Sequence, residues 1–176
     1  MSWEEDKGKA KILSDSKGAS HYVIFQELGK SCGPASVAMT ESQYKLQCMV
    51  DPEKRARELS QKYPKKWTAD IGAYPSNLSY VLNAEGVKAY AATCVATNKL
   101  WDYFSYYVGE RTPMICQIAW TKSAHFTVCR KVYSDGTIVF LDPWYGVVEV
   151  KYSDLPKYRP TGASGNLNGW VNITYR

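Results

Sequence analysis

Cys32 stands in the stretch FQELGKSCGPASVAM, residues 25–39, with Gln26 upstream and Gly33-Pro34 directly after it. Ser31 suits a helix cap, and Pro34 suits a first helical turn, where a missing N–H costs nothing. The thiol is thereby expected at a helix N-terminus, facing unpaired backbone N–H groups and the positive end of the helix dipole. Both favour thiolate over thiol, and the thiolate is the nucleophile. The plainer reading is a small buried side chain at a helix start. Gly33, Ala35 and Ala38 are small and leave room for close approach of a substrate backbone. The Gln26 amide, folded back beside Cys32, would join the Cys32 backbone N–H in a two-donor oxyanion hole.

A thiol nucleophile needs a base, and the base needs an orienting group. The chain has two histidines. His21 precedes the nucleophile in a polar segment and is expected at the surface. His125, in SAHFTV, opens one strand-like run, and Asp142, in FLDPWYG, closes the next. Their plainer readings are a satisfied strand histidine and a turn-forming aspartate before Pro143. Trp120, Phe126, Trp144 and Tyr145 flank the two. Their default role is core packing. If two of them line the cleft, the channel to Cys32 is narrow, and glycine passes best beside the scissile bond because it has no Cβ.

These residues must be positioned by helices first and strands after. A helix is expected from Ser31, a second in DPEKRARELSQKY with Asp51 as cap and Pro52 at its first position, and a third in SNLSYVLNAEG, stopped by Gly86. NKLWDYFSYYVG places Leu100, Phe104 and Tyr107 on one helical face. PMICQIAW, HFTVCRKV, TIVFL, VVEVKY and GWVNITYR read as strands, with Asp135-Gly136 a hairpin signal. The class is α+β, as residues 21–176, behind a polar N-terminal arm at 1–20. A strict two-residue turn at Asp135-Gly136 would set Asp142 across from Cys129. That is the face of His125 but four residues off, roughly 13 Å. A catalytic pairing therefore requires a longer loop, a bulge or strong twist.

The 176 residues make one domain able to bury a sizeable core. The start, MSWEEDKGK, is too acidic for a secretory signal, and no apolar run approaches a membrane span. Much of the net charge of +5 lies in residues 51–66, expected as a solvated helix face. That stretch lacks the aromatic interleaving of a nucleic-acid groove. The five cysteines form no C-x-x-C pair, so no zinc site and no cofactor are expected. Cys48, Cys94, Cys116 and Cys129 are read as buried small residues, and the thiols as reduced in a cytosolic setting.

Taken in order, QELGKSCGPASVAM, SAHFTV and DGTIVFLDPWYG resemble the papain-like cysteine peptidases. The resemblance is strongest to a bacterial branch that includes double-glycine leader peptidases and antibacterial peptidase effector domains, and it spans residues 26–146. It implies a papain-like fold with Cys32 as nucleophile, His125 as base, Asp142 as orienter and Gln26 in the oxyanion hole. Substrate contacts would fall to Trp144, Trp120, Phe126 and Gly33. Leader peptidases usually carry an acidic residue before the cysteine, where this chain has Ser31. The implied function is an endopeptidase toxin acting as a monomer on a cytosolic protein of a rival cell, with a cognate immunity protein and cleavage after glycine. Leader-peptide processing, glutamine deamidation or acyl transfer by the same residues, and an inactive binding adaptor are the alternatives.

Overall fold

The computed structural model describes residues 3–48, 51–120, 123–160 and 162–176. Met1 and Ser2 of the expected polar arm lie outside the described residues. The rest of that segment forms a helical turn, α1 (Trp3–Asp6), and strand β1 (Ala10–Ser14), which pairs with β2 (Ser20–Ile24). The expected boundary at residue 20 thus divides a hairpin. The Phe25 carbonyl accepts the Gly8 N–H, fastening the hairpin base.

Three helices follow: α2 (Cys32–Lys45), α3 (Pro52–Lys62) and α4 (Pro75–Ala84). Proline opens α3 and α4, and Gly86 ends α4 with φ +82°. Neither Ser31 nor Asp51 caps through its side chain. The Ser31 hydroxyl turns back instead to both backbone groups of Leu28. The small residues of α2 pack closely. Ala35 and Ala38 are fully buried, and a Cβ on Gly33 would lie 3.0 Å from Leu78 Cδ2 and 3.2 Å from Ala73 Cβ. Their size lets the helix sink between α4 and the sheet.

Most of the basic stretch is the expected solvated face, with Lys54, Arg55, Lys62 and Lys65 exposed. Arg55 reaches Glu85 Oε2 at 2.7 Å and Glu41 Oε2 at 3.1 Å, and Arg57 turns inward. The two-residue strand β3 (Thr93–Cys94) leads to α5 (Leu100–Tyr107), which buries Leu100 and Phe104.

The remaining chain is a sheet: β4 (Met114–Ala119), β5 (Ala124–Val132), β6 (Thr137–Asp142), β7 (Gly146–Lys151), β8 (Lys157–Tyr158) and β9 (Gly165–Ile173). Its order is β3-β9-β4-β5-β6-β7, with β8 beside β9, antiparallel throughout. Alternation supplies two cores. Ile115, Phe126, Val128, Val139 and Leu141 pack towards α2 and α4. Cys129, Phe140, Val171 and Tyr158 pack with Leu100 and Phe104 of α5. Each such large apolar side chain contributes roughly 1.5–3 kcal/mol by leaving water. Cys116 and Cys129 are buried as expected. Cys48 and Cys94 are exposed, one just past the end of α2 and one on an edge strand.

The β5–β6 register resolves the offset that the sequence leaves open. Gly136, at φ +87°, closes a loop in which its N–H donates to Tyr133 O and the Tyr133 N–H donates to Thr137 O. The loop therefore holds Ser134, Asp135 and Gly136, one residue more than a strict turn. A bulge at Arg130 adds a second shift, between Lys131↔Val139 and Cys129↔Phe140. One shift alone would move Asp142 to the wrong face, and two restore the face. Continuing from Val128↔Leu141, Asp142 falls across from Thr127. It is then a diagonal neighbour of His125, roughly 7–8 Å away along the backbone and within side-chain reach.

Candidate active site

His125 is the second residue of β5 and Asp142 the last of β6, and both are fully buried. His125 Nε2 lies 3.0 Å from Asp142 Oδ1. With Nε2–H donating to the carboxylate, Nδ1 is the nitrogen left to face a reacting partner, and no other side chain bonds it. Burial disfavours the charged imidazolium. The charge and hydrogen bond of Asp142, joined by the charge of Cys32, outweigh burial and raise His125 to about 10. The ring is thus held as an imidazolium between the Asp142 carboxylate and the Cys32 sulfur. Cys32 itself, the first residue of α2, is nearly buried and opens onto the same cleft as Phe126 and Trp144.

The sequence DPWYG builds the rest of the site locally. Pro143 has no N–H to satisfy, and the next two do what an aspartate turn requires. Trp144 N–H and Tyr145 N–H both donate to Asp142 Oδ1, at 2.6 and 3.1 Å. Gly146, at φ +81°, turns the chain back into β7. The turn lays the Trp144 indole over His125, with ring centroids 3.9 Å apart and planes 16° from parallel. Asp142 therefore orients the imidazole directly and through the tryptophan that covers it.

One supporting residue had no signal in the sequence. Tyr158, on β8, is fully buried, and its hydroxyl donates to Asp142 Oδ2 at 2.7 Å. Burial and the Asp142 charge push its phenol well up, so it remains a donor. A buried carboxylate needs such partners, and Asp142 has four. The spacing to Tyr158 is not local, and the aspartate's need for a fourth donor was the only available hint.

The expected substrate residues divide. Trp144 and Phe126 line a cleft of about 400 Å³ that reaches Cys32. Trp120 does not line it. Its ring lies 6.2 Å from His125 but is packed against Tyr158 and over Gly165, where a Cβ would stand 2.4 Å from the indole. Gly33 faces Leu78 and Ala73 and is likewise absent from the lining. In their place the loop before α4 supplies a wall, with Ile71 and Tyr74 both well exposed at the cleft. That loop is pinned to the turn before Cys32: Trp67 Nε1 donates to Lys30 O at 2.8 Å, and Lys30 Nζ to Asp70 O at 2.5 Å.

Gln26 is fully buried at the end of β2. Its Nε2 donates to Leu28 O at 2.8 Å and Gly29 O at 3.1 Å, within the turn leading to Cys32. Its backbone N–H donates to Pro143 O, so the turns carrying Gln26 and Asp142 are tied. His21 is not at the surface. It is buried, with Nε2 2.8 Å from Asp15 Oδ2, and Tyr133 donates to the same oxygen at 2.6 Å.

A helix bearing a thiol at its N-terminus, set against an antiparallel sheet bearing a buried His–Asp pair, defines a papain-like cysteine peptidase. Residues 17–160 match the family described as papain-like cysteine protease AvrRpt2, and the chain belongs to it. Among solved structures it is similar to a double glycine motif protease from an AMS/PCAT transporter, crystallised in complex with the leader peptide. That likeness has a TM-score of 0.60 at 20% identity, covering 95% of this chain and 93% of that one. It is also similar to the peptidase domain of Streptococcus ComA, a bi-functional ABC transporter involved in a quorum sensing pathway. There the TM-score is 0.59 at 17% identity, covering 86% of this chain and 94% of that one. No curated protein matches the chain. The chain is a cysteine peptidase with the fold of these neighbours.

Proposed function

We propose that Cys32, His125 and Asp142 are the catalytic residues of this peptidase and that it cleaves a protein after glycine. The observation that carries the assignment is the His125 ring, bonded to Asp142 through Nε2 and interacting with Cys32. The Cys32 thiolate attacks the scissile carbonyl carbon, forming a C–S bond as the carbonyl π pair moves to oxygen. The oxyanion takes the Cys32 backbone N–H, and the Gln26 amide joins it by releasing one of the two carbonyls it holds, Leu28 O or Gly29 O. His125 Nδ1–H protonates the departing amine as the C–N bond breaks. Neutral His125 then takes a proton from water, which hydrolyses the thioester and restores the thiolate–imidazolium pair.

Glycine beside the scissile bond follows from the cleft walls. Phe126 and Trp144 line the cleft together with Ile71 and Tyr74, which supports a narrow approach to Cys32. A Cβ beside Cys32 is the first thing such walls exclude. A structural neighbour that is a double glycine motif protease, crystallised in complex with the leader peptide, supports the same preference. We place the target in the cytosol of a rival bacterial cell, with a cognate inhibitor in the producer. Five free cysteines suit a reducing compartment. Leader-peptide processing is the second reading, favoured by that same neighbour, and it predicts cleavage of a short precursor after Gly-Gly.

The test is hydrolysis of acyl-Leu-Gly-Gly-aminomethylcoumarin against its Leu-Gly-Leu counterpart, by wild type and by Cys32→Ala. Turnover of the Gly-Gly amide alone, absent in Cys32→Ala, supports the reading. Equal turnover of both peptides removes the glycine preference, and equal turnover by both proteins removes the assignment of Cys32.

A further inference from the structure

Gln117 of β4 pairs with Phe126 of β5, and both line the cleft that reaches Cys32. On its other side the pairing is irregular. Cys116 pairs with Val171 and Ile118 with Leu167, so Asn168, Gly169 and Trp170 of β9 stand against Gln117 alone. Such a bulge re-aims the side chains beside it. Gly169 permits it: its φ is +92°, its carbonyl accepts the Val95 N–H at 2.8 Å, and a Cβ there would lie 2.1 Å from Val95 O.

The bulge fixes which way the Gln117 amide faces. The Trp170 N–H donates to Asn168 Oδ1 at 3.2 Å, which leaves Asn168 Nδ2 as the donor. That nitrogen donates to Gln117 Oε1 at 2.7 Å. Gln117 Oε1 is thus turned to β9, and Asn168 stands outside the cleft lining. Nε2 is the end of the amide left to the cleft, and among the described residues no group accepts from it.

We infer that Gln117 binds a main-chain carbonyl of the substrate through Nε2–H, with Asn168 as the positioning residue that sets the amide's orientation. The inference rests on the proposed reading of this cleft as the place where Cys32 cleaves after glycine. A segment of glycine and other small residues offers few side-chain contacts, so its main chain is what the cleft must hold. Carbonyls are the acceptors that every residue of such a segment carries. A part-buried amide held in one orientation suits one of them.

The orientation can be reversed from either end. Gln117→Glu keeps an oxygen for Asn168 Nδ2 and puts a second oxygen where the donor stood. Asn168→Asp keeps the acceptor for the Trp170 N–H but turns an oxygen on Gln117. The Gln117 amide then flips, donates to that carboxylate and presents Oε1 to the cleft. One substitution lies in the cleft and the other behind it, and both remove the same donor.

The experiment measures kcat and KM for acyl-Leu-Gly-Gly-aminomethylcoumarin with wild type, Gln117→Glu, Gln117→Met, Asn168→Asp and Cys32→Ala. Alongside it runs the rate of Cys32 alkylation by iodoacetamide, a reagent too small to need the carbonyl contact. Gln117→Met loses one neutral hydrogen bond and should raise KM about three- to tenfold, and the two variants that present an oxygen should raise it about tenfold or more. An interaction equal in the bound and transition states moves KM alone, so kcat should stay within about twofold. Alkylation should stay near the wild-type rate. If Asn168→Asp does not fold, the two Gln117 variants carry the comparison. Wild-type KM in the folded variants overturns this inference and leaves the catalytic reading standing. A raised KM in Gln117→Glu with wild-type KM in folded Asn168→Asp overturns the role of Asn168. Parallel loss of kcat and alkylation also overturns the inference, because the residues then support only the fold. Wild type no more active than Cys32→Ala overturns the catalytic reading and this inference together.

Discussion

The Trp144 indole lies flat over the His125 imidazole, 3.9 Å between centroids. An imidazolium against a buried aromatic face gains about 1–2 kcal/mol, and that preference exists only while the ring is charged. Trp144→Ala should lower kcat/KM about tenfold. Trp144→Phe keeps an aromatic face and should stay within about threefold of wild type. Steady-state kinetics of the three proteins checks the ordering, and equal loss in both variants would make Trp144 a wall of the cleft without a role in holding charge.

Asp142→Asn should shift the alkaline limb of kcat/KM downwards. His125 is raised to about 10, and Asp142 is the chief group opposing burial. A histidine with a raised value stabilises the fold fully below its unfolded value near 6.5 and loses that contribution as pH rises through about 10. The stability gap between wild type and Asp142→Asn should therefore be widest below pH 6.5 and narrow towards pH 10. Chemical denaturation across that range measures it. A gap that widens with pH would contradict the assigned ion pair.

Asp142→Ala should be worse than Asp142→Asn for stability. It strands the Tyr158 hydroxyl and the Trp144 and Tyr145 N–H groups in a buried site. Each stranded donor costs about 1–3 kcal/mol, and with partial relaxation the sum should reach about 3–5 kcal/mol. Tyr158→Phe removes one donor and should cost about 1–2 kcal/mol. Thermal unfolding ranks them.

Gly146→Ala tests the turn itself. Its φ is +81°, and a Cβ would lie 3.1 Å from Leu13 Cδ1 and 3.3 Å from Phe25 Cζ. Strain of about 1–3 kcal/mol is expected. Because the same turn holds Asp142 and Trp144 against His125, kcat should fall together with the melting temperature.

The helix start at Cys32, the strand positions of His125 and Asp142 and the DPWYG turn were legible because each is written locally, in proline, glycine and alternation. The distance between His125 and Asp142 was not. It depends on an extra loop residue and on a bulge at Arg130, and two one-residue shifts leave the same face pattern as none. His21 looked exposed because its neighbours are polar, yet its Nε2 meets Asp15 inside the fold, and Tyr133 donates to the same carboxylate oxygen. Arg57 of the basic stretch turns inward to Glu53, its i,i+4 neighbour, and to Glu27, and it is the Glu27 pairing that sequence spacing alone does not reveal. Trp120 and Trp144 read alike in the sequence. The glycine beneath Trp120 and the aspartate turn before Trp144 send one to the core and the other over the histidine.

The central claim is that Cys32 cleaves protein chains after glycine. The most direct measurement is mass-spectrometric mapping of new N-termini in bacterial cells expressing the wild-type chain against cells expressing Cys32→Ala. The account predicts a small set of new termini in the wild-type cells alone, each preceded by glycine in the parent sequence, and their loss in His125→Ala as well. An identical set of termini in wild type and Cys32→Ala would contradict it.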